Sequence, residues 1–160
     1  MIDAEKRALE TIEKSVNLVS LRKLLDNARG VSGIVEKAAF RRIVALSSSD
    51  QSSEVARDCW SMIYAVEELR RLERGRKSPM NRLRPKIARE GEVAALEYLA
   101  LHKSDGFQEV VDYGCPDLLA EAIVIRHGTP PFSERAVEAA KARLAVAGLA
   151  QPVSETTILN

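Results

Sequence analysis

The chain has 160 residues, 46% apolar, 4% aromatic and 29% charged, with a formal net charge of +1. That composition is too apolar for a disordered chain, and no apolar run nears the ~18 residues that cross a bilayer. The opening Met1-Ile2-Asp3-Ala4-Glu5-Lys6-Arg7 is charged from its third residue and lacks the greasy stretch of a secretion signal, which predicts a cytoplasmic protein.

With 21 alanines and 17 leucines against seven aromatics, the chain is dominated by residues that lose little rotamer freedom on coiling. An all-α fold is predicted: an N-terminal bundle of three longer helices followed by four shorter packed helices. The first segment, about 3–29, places Leu9, Ile12, Val16 and Val19 at three-and-four spacing. It then changes phase to Leu18, Leu21, Leu25 and Ala28, as one long helix touched on two sides would do. Opposite charges four apart, Lys6 with Glu10, Glu10 with Lys14 and Arg22 with Asp26, mark its wet face. The second helix, about 32–46, turns Val35, Ala39, Ile43 and Leu46 inward. The third carries the cleanest stripe, Val55, Cys59, Met62, Val66 and Leu69, widened by Ala56, Trp60 and Ile63. A serine-rich run from Ser47 to Ser53 supplies its N-cap and Gly75 its end.

The second half has a shorter grain, with helices predicted over about 91–102, 104–113, 116–127 and 133–147. Ser133 reads as an N-cap, with Phe132 and Val137 at staple spacing. Val137, Ala140, Leu144 and Ala147 make the last stripe. The implied organisation is a three-helix bundle over 1–75, a basic connecting segment over 76–90, a short-helix lobe over 91–148 that is either separate or continuous with the bundle, and a flexible tail over 149–160. No internal repeat is found, although 105–114 superficially resembles the second helix of an ankyrin unit.

The near-neutral total conceals a strong asymmetry. From Arg70 to Arg89 there are nine cations, Arg70, Arg71, Arg74, Arg76, Lys77, Arg82, Arg84, Lys86 and Arg89, against the single acid Glu73, for a net +8. The flanks are −1 over 1–69 and −6 over 90–160. Dense Arg and Lys reach phosphate oxygens and release condensed counterions, so nucleic acid is the natural polyanion. The competing reading pairs these cations with the acidic second half of the same chain. No aromatic lies within the basic run to stack on bases. A helix-turn-helix over 87–96 fits poorly, and Glu92 and Glu97 after Gly91 would repel phosphate, so an ordinary helix corner is the better reading.

Nothing in the sequence assembles a catalytic set, and no enzyme activity, metal or cofactor is predicted. His102 and His127 close predicted short helices, where an imidazole complements the negative end of the helix dipole. Cys59 and Cys115 lie 56 positions apart and read as buried apolar groups, because their spacing with the histidines matches no zinc site. Asp105, Glu109 and Asp112 share one helical face, a polar surface that offers a weak protein-docking patch. Two functions are therefore expected in order: a small regulatory or assembly protein gripping nucleic-acid phosphates through the basic segment, or an adaptor or inhibitor docking on a larger complex through its helical surface and acidic C-terminal half. Helices one and three are also long enough to pair across a two-fold axis in a homodimer.

Overall fold

The computed structural model describes residues 2–102 and 106–149, and the chain divides into two compact units, Met1–Pro79 and Met80–Asn160. Every regular element among the described residues is helical. The boundary between the units falls inside the basic segment.

The first unit holds α1 (Asp3–Lys14), α2 (Leu18–Ala28), α3 (Gly33–Ser48) and α4 (Glu54–Arg74). The single helix predicted over 3–29 is thus two. At Asn17 the backbone leaves helical geometry (φ −101°, ψ 106°), and its side chain accepts the Ser20 N–H at 3.1 Å, capping a new helix. The change of phase in the apolar pattern marks this break, and Val16 and Val19, assigned inward from their spacing, stand 77% and 65% exposed. The second stripe is correct, with Leu21, Leu25 and Ala28 buried. Helix α3 packs against α1, α2 and α4 and carries Phe40, which has no exposed surface. Along α4, Cys59, Met62, Val66 and Leu69 are buried as predicted, and the Ser53 side chain accepts the Ala56 N–H at 3.1 Å.

The second unit holds α5 (Leu83–Glu90), α6 (Glu92–Leu101), α7 (Phe107–Tyr113), a 3-10 turn (Pro116–Leu118), α8 (Ala120–His127) and α9 (Glu134–Val146). Helix α5 lies where the sequence reads as a connecting segment. It is coiled because Leu83 and Ile87, four apart, are both buried, and Pro85 sits in the first turn, where its missing N–H has no intrahelical partner to lose. Gly91, at φ 91° and ψ 171°, ends α5 and opens α6, the plain corner anticipated there. Helices α6, α8 and α9 pack on one another and bury Leu96, Ile123 and Leu144. Ser133 caps α9 by accepting the Ala136 N–H at 3.1 Å, with Phe132 buried beside it.

Long-range arginines satisfy carbonyls at helix ends that lack an intrahelical donor. Arg29 donates to Leu72 O at 3.1 Å, Arg42 to Ser15 O at 3.1 Å and Arg143 to Leu99 O at 2.8 Å. Arg143 also donates to the fully buried Glu121 carboxylate at 2.6 Å, so one side chain on α9 ties α6 to α8.

Candidate nucleic-acid interface

In the first unit the basic residues gather where α4 ends, a place that favours cations because the helix dipole is negative there. Gly75 stops the helix in the left-handed region at φ 73°, its N–H bonded to Arg71 O at 2.8 Å. The Arg71 guanidinium is tied down: Nε donates to Glu68 at 2.6 Å and the two terminal nitrogens donate to Asp26 at 3.0 and 3.4 Å. Partial burial works against its charge, yet the hydrogen bonds and charges of Asp26 and Glu68 outweigh that and raise its pKa above the ordinary arginine value. Glu68, 4% exposed, also accepts from Arg22 Nε at 3.2 Å. Arg22 and Asp26, predicted to pair along α2, turn instead to Glu68 and Arg71 of α4. The partners of Arg71 therefore come from its own unit and not from the acidic second half.

The remaining cations of this unit differ in their engagement. Arg70 is half-buried and has a partner, and Arg74 reaches over the Gly75 turn to donate to the Ser78 hydroxyl. Arg76 and Lys77 are exposed, and among the described residues neither makes a hydrogen bond or ion pair.

In the second unit α5 turns Leu83 and Ile87 inward, so Arg82, Lys86 and Arg89, spaced four and three apart, share another face of the helix. Arg82 and Arg89 are exposed and form no hydrogen bond or ion pair among the described residues, whereas Arg84 is half-buried and engaged. Lys86 donates to Glu90 at 2.8 Å and its ammonium lies 4.8 Å from the centre of the Tyr98 ring. The hydrogen bond from Lys86, then its charge, hold the Glu90 carboxyl below the ordinary glutamate range. Tyr98, 45% exposed, stacks on His102, with ring centres 4.2 Å apart and planes 24° from parallel. His102 Nδ1 lies 2.9 Å from the Tyr98 carbonyl, so this imidazole closes α6 as its position predicts.

The exposed aromatic pair is what the sequence reading missed. Tyr98 is outside the basic run, but the corner at Gly91 folds α6 back on α5 and brings the ring to Lys86. The available signal was Tyr98 and His102, one turn apart on a helix directly after the cations. Glu97, expected to repel phosphate, accepts the backbone N–H of Ser133 at the start of α9. Glu92 is half-buried and engaged.

Of the carboxylates proposed as a docking patch, Asp105 lies outside the described residues, as do residues 150–160 of the predicted tail. Glu109 is half-buried with a partner, and the exposed Asp112 accepts from Gln108 at 2.8 Å. Among the described residues no three His, Cys, Asp or Glu gather to hold a metal ion, and Cys59 and Cys115 are both buried thiols. No helix among those residues is long and apolar enough to cross a membrane. Comparison with protein-family models, with curated proteins and with solved structures finds no match to this chain.

Proposed function

We propose that this protein binds the phosphates of a nucleic acid through its basic middle segment, in a non-catalytic regulatory or assembly role. The observation that carries the reading is the exposure of Arg76, Lys77, Arg82 and Arg89 with no hydrogen bond or ion pair among the described residues. Arg74, whose partner is a neutral hydroxyl, joins them. Cations in that state keep their charge for a polyanion and displace its condensed counterions on contact. Arg71 is set aside, because breaking its bonds to Asp26 and Glu68 would leave a nearly buried carboxylate short of a partner.

About five phosphate contacts give an affinity that falls with salt on a logarithmic slope near −4.5 for a duplex and −3.5 for a single strand. Fluorescence anisotropy of labelled DNA and RNA should therefore show about 100- to 500-fold weakening between 50 and 200 mM salt. Arg76→Glu with Arg89→Glu should reduce binding to both kinds of strand. Failure to bind any nucleic acid at 50 mM salt overturns the proposal.

A second reading, a protein adaptor or inhibitor, is supported by the aliphatic residues that the first unit leaves exposed. Val31 is 83% exposed, Ile2 64% and Ile34 52%. A stoichiometric partner that survives nuclease treatment and is released by Val31→Ser with Ile34→Ser would favour it. A partner retained by that variant counts against it.

A further inference from the structure

We infer that the Tyr98–His102 stack beside α5 is a platform for an unpaired nucleobase, which makes single-stranded RNA or DNA the ligand of the second unit in preference to duplex. The inference rests on the phosphate-binding reading and adds to it a choice of strand. Three observations carry it. The two rings already form a stack, 4.2 Å between centres, and both residues are exposed. Tyr98 is among the few large apolar side chains that the described residues leave open to solvent, at 45%. Cations share the helix that meets the ring: on α5, Arg82 and Arg89 are spaced about one turn to either side of Lys86, whose ammonium is 4.8 Å from the Tyr98 ring centre.

The chemistry of single-strand binding requires this combination. Cations that follow a backbone need an aromatic face between them, because each base of an unpaired strand offers a π surface that a duplex keeps stacked internally. Lys86 is not counted among the phosphate contacts, since Glu90 already takes its charge at 2.8 Å. Its part is to fix the ring: with Lys86 over Tyr98 and His102 stacked on it, the face offered to a base is the outer one of the exposed His102, and Arg82 and Arg89 are left as the groups for the phosphates. His102 is held at one edge by the contact of its Nδ1 with the Tyr98 carbonyl, so the stack is ordered before a base arrives.

The test compares three fluorescein-labelled ligands of equal length at 50 mM salt: a single strand of uridines or thymidines, the same strand with abasic sites, and a duplex. Abasic sites keep the phosphates and remove the bases. Wild-type protein should bind the intact strand about tenfold or more tightly than the abasic one, the worth of a single base stack. His102→Ala should lose that margin on the intact strand and leave the abasic strand unchanged, while His102→Phe should retain it. The wild-type comparison needs no variant, so a poorly folded His102→Ala would not obscure the answer. Equal wild-type binding to intact and abasic strands overturns the stacking platform and leaves the phosphate reading standing. Binding to none of the three overturns both.

Discussion

Arg143 on α9 and Glu121 on α8 are joined at 2.6 Å, and the carboxylate has no exposed surface. A buried charge is tolerated only while it stays paired and hydrogen-bonded, so the fold of the second unit depends on this contact more than on any surface ion pair. Arg143→Met should lower stability by about 3 kcal/mol, read as a shift in the urea midpoint by circular dichroism. Adding Glu121→Leu to Arg143→Met should recover most of that loss, because apolar replacement of both partners removes the stranded charge. A double variant no better than the single would refute the pairing.

Arg71 and Arg76 carry the same charge five positions apart and should respond in opposite ways to removal. Arg71→Ala should reduce stability by about 2 kcal/mol, since Glu68 loses a charged donor in a nearly buried position. The salt slope of any nucleic-acid binding should not change. Arg76→Ala should leave stability within about 0.5 kcal/mol of the parent and make the salt slope shallower by about one. An exchange of those two outcomes would mean that the ion-pair assignments are reversed.

The Glu90 carboxyl, lowered chiefly by the hydrogen bond from Lys86, sets the sign of one pH effect. Its folded-state pKa lies below its unfolded value, so the fold favours the ionised form. That contribution is present above the unfolded value and is lost as pH falls through the lower, folded one. Carbon-detected NMR should place the Glu90 midpoint below the ordinary glutamate range, and Lys86→Met should move it most of the way back, with a smaller part of the lowering left to the charge of Arg89. An unmoved midpoint in the variant would assign the shift elsewhere.

Asn17 gives a prediction whose sign separates one helix from two. As the cap of α2, its replacement by alanine should cost about 1 kcal/mol. In the interior of a continuous helix the same change would stabilise by about 0.6 kcal/mol on propensity alone. Thermal unfolding of Asn17→Ala reads the difference directly.

Much of the fold is legible where local chemistry decides it. Ser53, Ser133 and Gly75 act at the helix ends that their types and neighbours indicate, and the α4 stripe is buried as spaced from Cys59 to Leu69, with Val55 half-buried at its start. The break at Asn17 was hidden because two good apolar stripes overlap in sequence, and either alone continues a helix plausibly. Helix α5 was hidden for a different reason. Six of the nine positions from 82 to 90 are charged or proline, so the two apolar residues that anchor it, Leu83 and Ile87, make too faint a period. The candidate site was legible in its cations and not in its aromatic pair, because the approach of Tyr98 to Lys86 is made by packing between helices. Which arginines are tied down is likewise a tertiary fact: α2 reaches α4, and a pair drawn along one helix resolves into two between helices.

Gly91 bears on all of this, since no further residue separates α5 from α6. A Cβ there would meet nothing within 4 Å, so the glycine answers to its backbone angle alone. With so short a joint, one residue inserted into the last turn of α5 would rotate the part of the helix before it by about 100° about its axis. The cationic side of that helix would then be swung off the tyrosine, and a single codon would uncouple charge from ring without altering either.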